Sequence, residues 1–125
     1  MKKYILVLDD EELIRDLLSQ MLNDNGYRVS SVATVAAALK SARQEQPNLV
    51  ISDLQLEDGD GLEMIDQLKT EYPETPVILL TGVLFDQETV DKVLSKKVDC
   101  YLEKTSPLSK IRDTVSSLLS RPSGS

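Results

Sequence analysis

Leu49-Val50-Ile51-Ser52-Asp53 decides the fold. Three apolar residues and a serine, of strand length, run straight into a carboxylate, and a glycine-rich turn, Glu57-Asp58-Gly59-Asp60-Gly61, follows closely. A short run that is apolar on both faces suits a parallel sheet covered by helices on either side. The acid at its carboxyl end then stands at the rim of the sheet, where open α/β folds bind their ligands. Asp53 is therefore the candidate reactive residue.

Working back from this strand, Pro47-Asn48 breaks a helix that carries Ala36, Ala37, Leu39 and Ala42, with Thr34 placed to cap it. Arg28–Val32 reads as a weaker strand because serines occupy 30 and 31. Tyr4–Leu8 is a second continuous apolar strand, ended by Asp9-Asp10-Glu11-Glu12. Beyond it Leu13, Ile14, Leu17, Leu18, Met21 and Leu22 recur at three and four, the stripe of a helix, and Gly26 sits where its C-cap belongs.

Working forward, Leu62, Met64, Ile65 and Leu68 predict a helix ending near Tyr72-Pro73. Residues 77–80 predict a fourth strand before Thr81-Gly82, and Asp86 caps a short fourth helix with Val90, Val93 and Leu94. Residues 98–102 predict a fifth strand, interrupted by Asp99 and followed by Glu103-Lys104. Ser106 as N-cap and Pro107 at the first helical position open a fifth helix with a buried stripe of Leu108, Ile111, Val115, Leu118 and Leu119. Residues 121–125 read as a linker-like tail. The pattern is (βα)5, an α/β doubly wound sheet of five parallel strands joined by right-handed crossovers.

Composition narrows the function. The chain has 125 residues, enough for one domain, and 41% of them are apolar, so a core forms without covalent staples. Cys100 is the single cysteine, which excludes an intramolecular disulfide, fits a reducing compartment and reads as a small packing residue. No apolar run approaches the ~20 residues of a membrane span, and Met1-Lys2-Lys3 with its brief apolar sequel is too short for a signal peptide, so a cytoplasmic location with no membrane partner is expected. The formal charge is −7, from 21 acids and 14 bases, which disfavours a nucleic-acid partner. There is no histidine, which removes Ser-His-Asp catalysis and most zinc sites.

In a parallel sheet the residues just past each strand meet along one edge. Here they are Asp9 and Asp10, Asp53, Thr81 and Lys104. Taken singly, these are capping acids, a turn threonine and a solvated lysine; their conjunction at one edge is what points to a site. Adjacent ionised carboxylates repel unless a cation neutralises them, and an all-oxygen donor set suits Mg2+ or Mn2+. Such a cation with Lys104 beside it, and with the Thr81 hydroxyl as donor, suits an incoming phosphoryl group. Asp53, projecting from the central strand, is the best candidate nucleophile. The calcium-loop reading of Asp58-Gly59-Asp60-Gly61 fails, because Leu62 occupies the next alternate ligand position.

Val7-Leu8-Asp9-Asp10-Glu11, Asp53-Leu54-Gln55-Leu56 with Asp60-Gly61, Leu80-Thr81-Gly82 and Tyr101-Leu102-Glu103-Lys104 occur in that order and spacing. Through them the chain, over about residues 3–120, resembles the receiver domains of two-component response regulators. The resemblance implies a flavodoxin-like strand order 2-1-3-4-5. It implies that Asp53 accepts a phosphoryl group from the phosphohistidine of a sensor histidine kinase or phosphotransfer protein. It also implies Mg2+ held by Asp10, Asp53 and the backbone carbonyl of Gln55, with Asp9 acting through water. Lys104 and Thr81 would contact the phosphoryl oxygens, and Tyr101 would move with Thr81. The fourth helix, fifth strand and fifth helix would form the face that meets an effector or a second copy. A receiver is a signalling domain, assisting its own phosphorylation, and not a turnover enzyme.

Three positions depart from the family pattern. Thr105 follows Lys104 where proline in a cis peptide is usual; a cis bond without proline costs ~3 kcal/mol, so this one is either trans, with the loop re-routed, or held cis by its surroundings. Glu57 and Lys97 stand where proline and glycine are common. If the backbone at Lys97 needs positive φ, it adds strain of roughly 1 kcal/mol. Val83 and Gln55 flank the expected hydrolytic water and leave phosphoryl lifetime open. Two alternatives compete: a pseudo-receiver that binds partners without phosphotransfer, and an aspartate-nucleophile phosphatase. The first is favoured by loss of Asp10, Asp53 or Lys104, all present; the second needs an acid where Gln55 stands.

Overall fold

The continuous apolar runs become strands closed off from water on both faces. In the computed structural model, which describes residues 2–82, 88, 91 and 98–120, every residue of β1 (Tyr4–Leu8), β3 (Leu49–Ser52) and β4 (Val77–Thr81) is buried. β2 (Arg28–Val32) and β5 (Cys100–Glu103) are only partly buried, because they form the two edges. That position is what makes the serines of β2 tolerable. All neighbours are parallel, in the order β2-β1-β3-β4-β5, the order that the resemblance implies.

Side chains of successive strand residues alternate between faces. Leu6, Leu8, Val50 and Leu79 pack with α2 (Val35–Gln44) and α3 (Gly61–Glu71), whereas Ile5, Val7, Ile51 and Ile78 pack with α1 (Glu12–Asp24) and the final helix (Leu108–Leu119). Each fully buried Leu or Ile contributes about 1.5–3 kcal/mol by leaving water, so the two faces together carry most of the stabilisation. α2 meets the sheet through Ala38 and Ala42, whose small side chains let the helix approach closely.

The helix ends follow their local chemistry. Thr34 Oγ1 accepts from Ala37 N at 3.1 Å, and Asp60 Oδ1 caps α3 by accepting from Leu62 N at 2.7 Å. Past α1, Gly26 takes φ +89°, a conformation that favours glycine. The glycine-rich turn contains more order than expected. Gln55–Leu56 pairs antiparallel with Gly59–Asp60 to form a two-stranded ribbon, with Glu57 and Asp58 at its tip.

Several expectations need correction. The α1 stripe is narrower than its spacing predicts: Leu18 and Leu22 are buried, with Ile14 and Met21 packed against the core, but Leu13 and Leu17 are 69% and 42% exposed. Leu108, at 40% exposure, likewise stays out of the core. The final helix starts one residue late, since Pro107 has an extended ψ of 144° and serves as its N-cap. The fifth strand begins at Cys100, because Asp99 is engaged as an acceptor: Asp99 Oδ2 takes bonds from Val77 N at 2.7 Å and Lys69 Nζ at 3.0 Å. No cis peptide occurs among the described residues, so Lys104–Thr105 is trans. The loop is held instead by Lys104 N donating to Thr81 O and Ser106 N to Glu103 O, both at 2.9 Å. The predicted fourth helix, with Asp86, Val90, Val93 and Leu94, lies outside the described residues, as do Val83, Lys97 and 121–125. Among the described residues, no helix is long and apolar enough to cross a membrane.

Candidate functional site

Register brings the acids together. Leu8 is paired with Ser52, so the next residues, Asp9 and Asp53, leave adjacent strands side by side. The chain passes from β1 outward to β2 and then back across to β3, so these two acids flank the point where strand order reverses. Asp53 N donates to Leu8 O at 2.8 Å, and Asp9 N to Val32 O at 3.1 Å, which extends both ladders by one residue past the strands.

Asp53 is 6% exposed, and its Oδ1 accepts from Leu54 N at 2.7 Å. Its carbonyl accepts from Ser52 Oγ at 2.9 Å. Gly61 presses against this backbone: a Cβ there would overlap the Asp53 carbonyl oxygen, so only glycine lets α3 start at this point. Asp9 is 2% exposed, and its Oδ1 accepts from Glu11 N at 2.8 Å. Burial raises the Asp9 pKa despite that bond and the nearby Lys104 ammonium. Asp10 is exposed.

Lys104 closes the site from β5. Its Nζ lies 3.1 Å from Asp53 Oδ2, 3.0 Å from Asp9 Oδ2 and 2.6 Å from Glu11 Oε2. Burial works against its charge, but hydrogen bonds to Glu11, Asp9 and Asp53 outweigh it and raise its pKa well above the ordinary lysine value. Thr81 is buried at the end of β4, where its carbonyl receives the Lys104 N–H. Tyr101 stands half-buried on β5, in register with Leu79, and burial raises its phenol pKa. Gln55 begins the ribbon two residues after Asp53.

One carboxylate oxygen each from Asp9, Asp10 and Asp53 lies within 4.8 Å of the other two. Three hard oxygen donors, two on buried carboxylates, fit a divalent cation of the Mg2+ class, whose charge would offset their repulsion. Glu11 escaped the sequence reading as a site residue. It was visible there only as one acid in the run before α1, and its partner lies 93 positions away.

The family model for the response regulator receiver domain matches residues 5–116. The chain is 36% identical over 123 residues to the alkaline phosphatase synthesis transcriptional regulatory protein PhoP of Bacillus subtilis, covering 97% of this chain and 50% of that protein. It thus spans about half the length of that relative. A CheY-like response regulator receiver domain protein from Methanospirillum hungatei has a similar structure, with TM-score 0.89, 28% identity, and 95% and 94% of the two chains covered. The BeF3-activated DrrB receiver domain is similar with TM-score 0.88 and 32% identity, covering 97% of this chain and 100% of that one. With the family model matching residues 5–116 of 125, and with the acids and lysine of the motif gathered at one sheet edge, the chain belongs to the response regulator receiver domain family.

Proposed function

We propose that Asp53 is the phosphoacceptor of this receiver domain, taking a phosphoryl group from the phosphohistidine of a sensor histidine kinase or phosphotransfer protein. One observation carries the assignment: of the two buried acids in the three-oxygen cluster that meet Lys104, Asp9 and Asp53, it is Asp53 that follows directly on the central strand, 3.1 Å from the ammonium. An Asp53 carboxylate oxygen attacks phosphorus, the O–P bond forms, and the bond from phosphorus to the donor nitrogen breaks with its electron pair leaving on the imidazole. Lys104 supplies a positive charge and donors to a phosphoryl oxygen, and the Thr81 hydroxyl donates to another.

Asp10, Asp53 and the backbone carbonyl of Gln55 would hold Mg2+, with Asp9 acting through water; Mn2+ fits the same donors. The bound ion would supply positive charge to offset that of the transferring group. The resulting aspartyl phosphate adds negative charge and acceptor oxygens, and Thr81 with Tyr101 would carry the change to the face of the fourth helix, fifth strand and final helix. That face would meet an effector or a second copy. We assign residues 3–120 to the receiver unit and 121–125 to a connecting tail.

Incubation with Mg2+ and a small acyl phosphate donor, followed by intact mass, tests the proposal. Gain of one phosphoryl group that is lost with EDTA is expected. Absence of any gain with Mg2+ present would overturn it.

A further inference from the structure

We infer that Glu11 is a positioning residue for Lys104, holding its ammonium at the rim of the site so that a divalent cation can take the acids beneath. The inference rests on the cation site proposed above. Lys104 Nζ now sits 3.0 Å from Asp9 Oδ2 and 3.1 Å from Asp53 Oδ2, on two carboxylates of the same three-acid cluster that suits the cation. An ammonium and a divalent cation repel, so each disfavours the other on shared carboxylates. Among the described residues Glu11 is the one carboxylate partner of the Lys104 ammonium outside that cluster, and it makes the shortest contact of the three, 2.6 Å.

The burial pattern gives the two kinds of partner different roles. Asp9 and Asp53 are 2% and 8% exposed at their side chains, whereas Glu11 is 58% exposed. Lys104, at 14%, therefore spans from the buried acids to a carboxylate at the surface. When the buried acids turn to a cation, Glu11 keeps a counter-charge for the ammonium a short step away, still within reach of Asp53. Glu11 is itself seated by its backbone, since its N–H donates to Asp9 Oδ1 at 2.8 Å. Without the Glu11 carboxylate, the acids left to pair with Lys104 among the described residues are the buried ones, and it competes harder for them.

The test is a double-mutant cycle read by Mn2+ binding, followed by electron paramagnetic resonance on the full chain, in wild type, Glu11→Gln, Lys104→Met and the double variant. Because Glu11 is exposed, Glu11→Gln is expected to fold normally, which thermal unfolding checks. Glu11→Gln is expected to weaken Mn2+ binding about three- to fivefold, the scale of a partly exposed charge pair, and Lys104→Met to strengthen it. In the Lys104→Met background the Glu11→Gln effect is expected to shrink below about twofold, because no ammonium remains to be held. Equal affinity of Glu11→Gln and wild type would overturn the inference. So would an undiminished effect in the Lys104→Met background, which would make Glu11 a general source of negative field. Failure of the wild type to bind Mn2+ would instead overturn the cation site on which the inference stands.

Discussion

Gly61 and Asp58 show how single residues after Asp53 hold the site's surroundings. A Cβ at position 61 would overlap the Asp53 carbonyl oxygen and approach its carbonyl carbon to 3.1 Å, and backbone cannot yield as a flexible side chain can. Gly61→Ala is therefore expected to cost about 3 kcal/mol, the upper end of overpacking, read as a lower urea midpoint with unchanged slope. Asp58, at the ribbon tip, accepts from Val35 N at 2.8 Å and Ala36 N at 3.1 Å, so it caps α2 from a distant segment. Those two backbone bonds lower its pKa below the ordinary 3.8. A depressed carboxyl pKa stabilises the fold above 3.8 and loses that contribution as pH falls through the folded value. Asp58→Asn is thus expected to melt below wild type at neutral pH, with the gap closing under acid; a gap that is constant with pH would contradict the cap. The acids and Lys104 were legible in the sequence because each follows a recognisable strand. The roles of Glu11, Asp58 and Gly61 were not, since each depends on a partner that only the folded chain brings near.

Elements with a long apolar period were the most legible. The runs that became β1, β3 and β4 are unbroken, and burial on both faces is what such runs require. The ribbon shows in the sequence only as a turn, because two-residue strands carry no period to detect. β5 starts two residues later than the sequence pattern predicts, because Asp99 commits its carboxylate to the Val77 N–H and Lys69, fastening the loop before β5 to the start of β4 and to α3. Asp99→Ala removes the carboxylate from a lysine whose side chain is only 9% exposed and leaves the Val77 N–H without that acceptor. A loss of about 3 kcal/mol is expected by chemical denaturation, the low end for breaking a buried pair because Asp99 is itself partly exposed. Lys69→Met should cost less, since Asp99 keeps its bond from Val77 N; equal costs would show that the ion pair, and not the backbone bond, is what fastens β5.

For the whole molecule, alternation of strand and helix specified a parallel sheet but not the order of its strands. The order came from the family resemblance, and it matters because it sets β1 beside β3 and so brings Asp9 to Asp53. The net charge of −7 was visible as a number, yet what concentrates acid at one edge is the register of those two strands. This convergence is what we propose makes Asp53 the phosphoacceptor. The direct measurement is to phosphorylate the chain with Mg2+ and an acyl phosphate donor, reduce the aspartyl phosphate with borohydride to homoserine, and locate it by peptide mass spectrometry. Homoserine at position 53, absent from Asp53→Asn, is the result predicted. Homoserine at Asp9 or Asp10 in the wild-type chain, with Asp53 unmodified, would contradict the account.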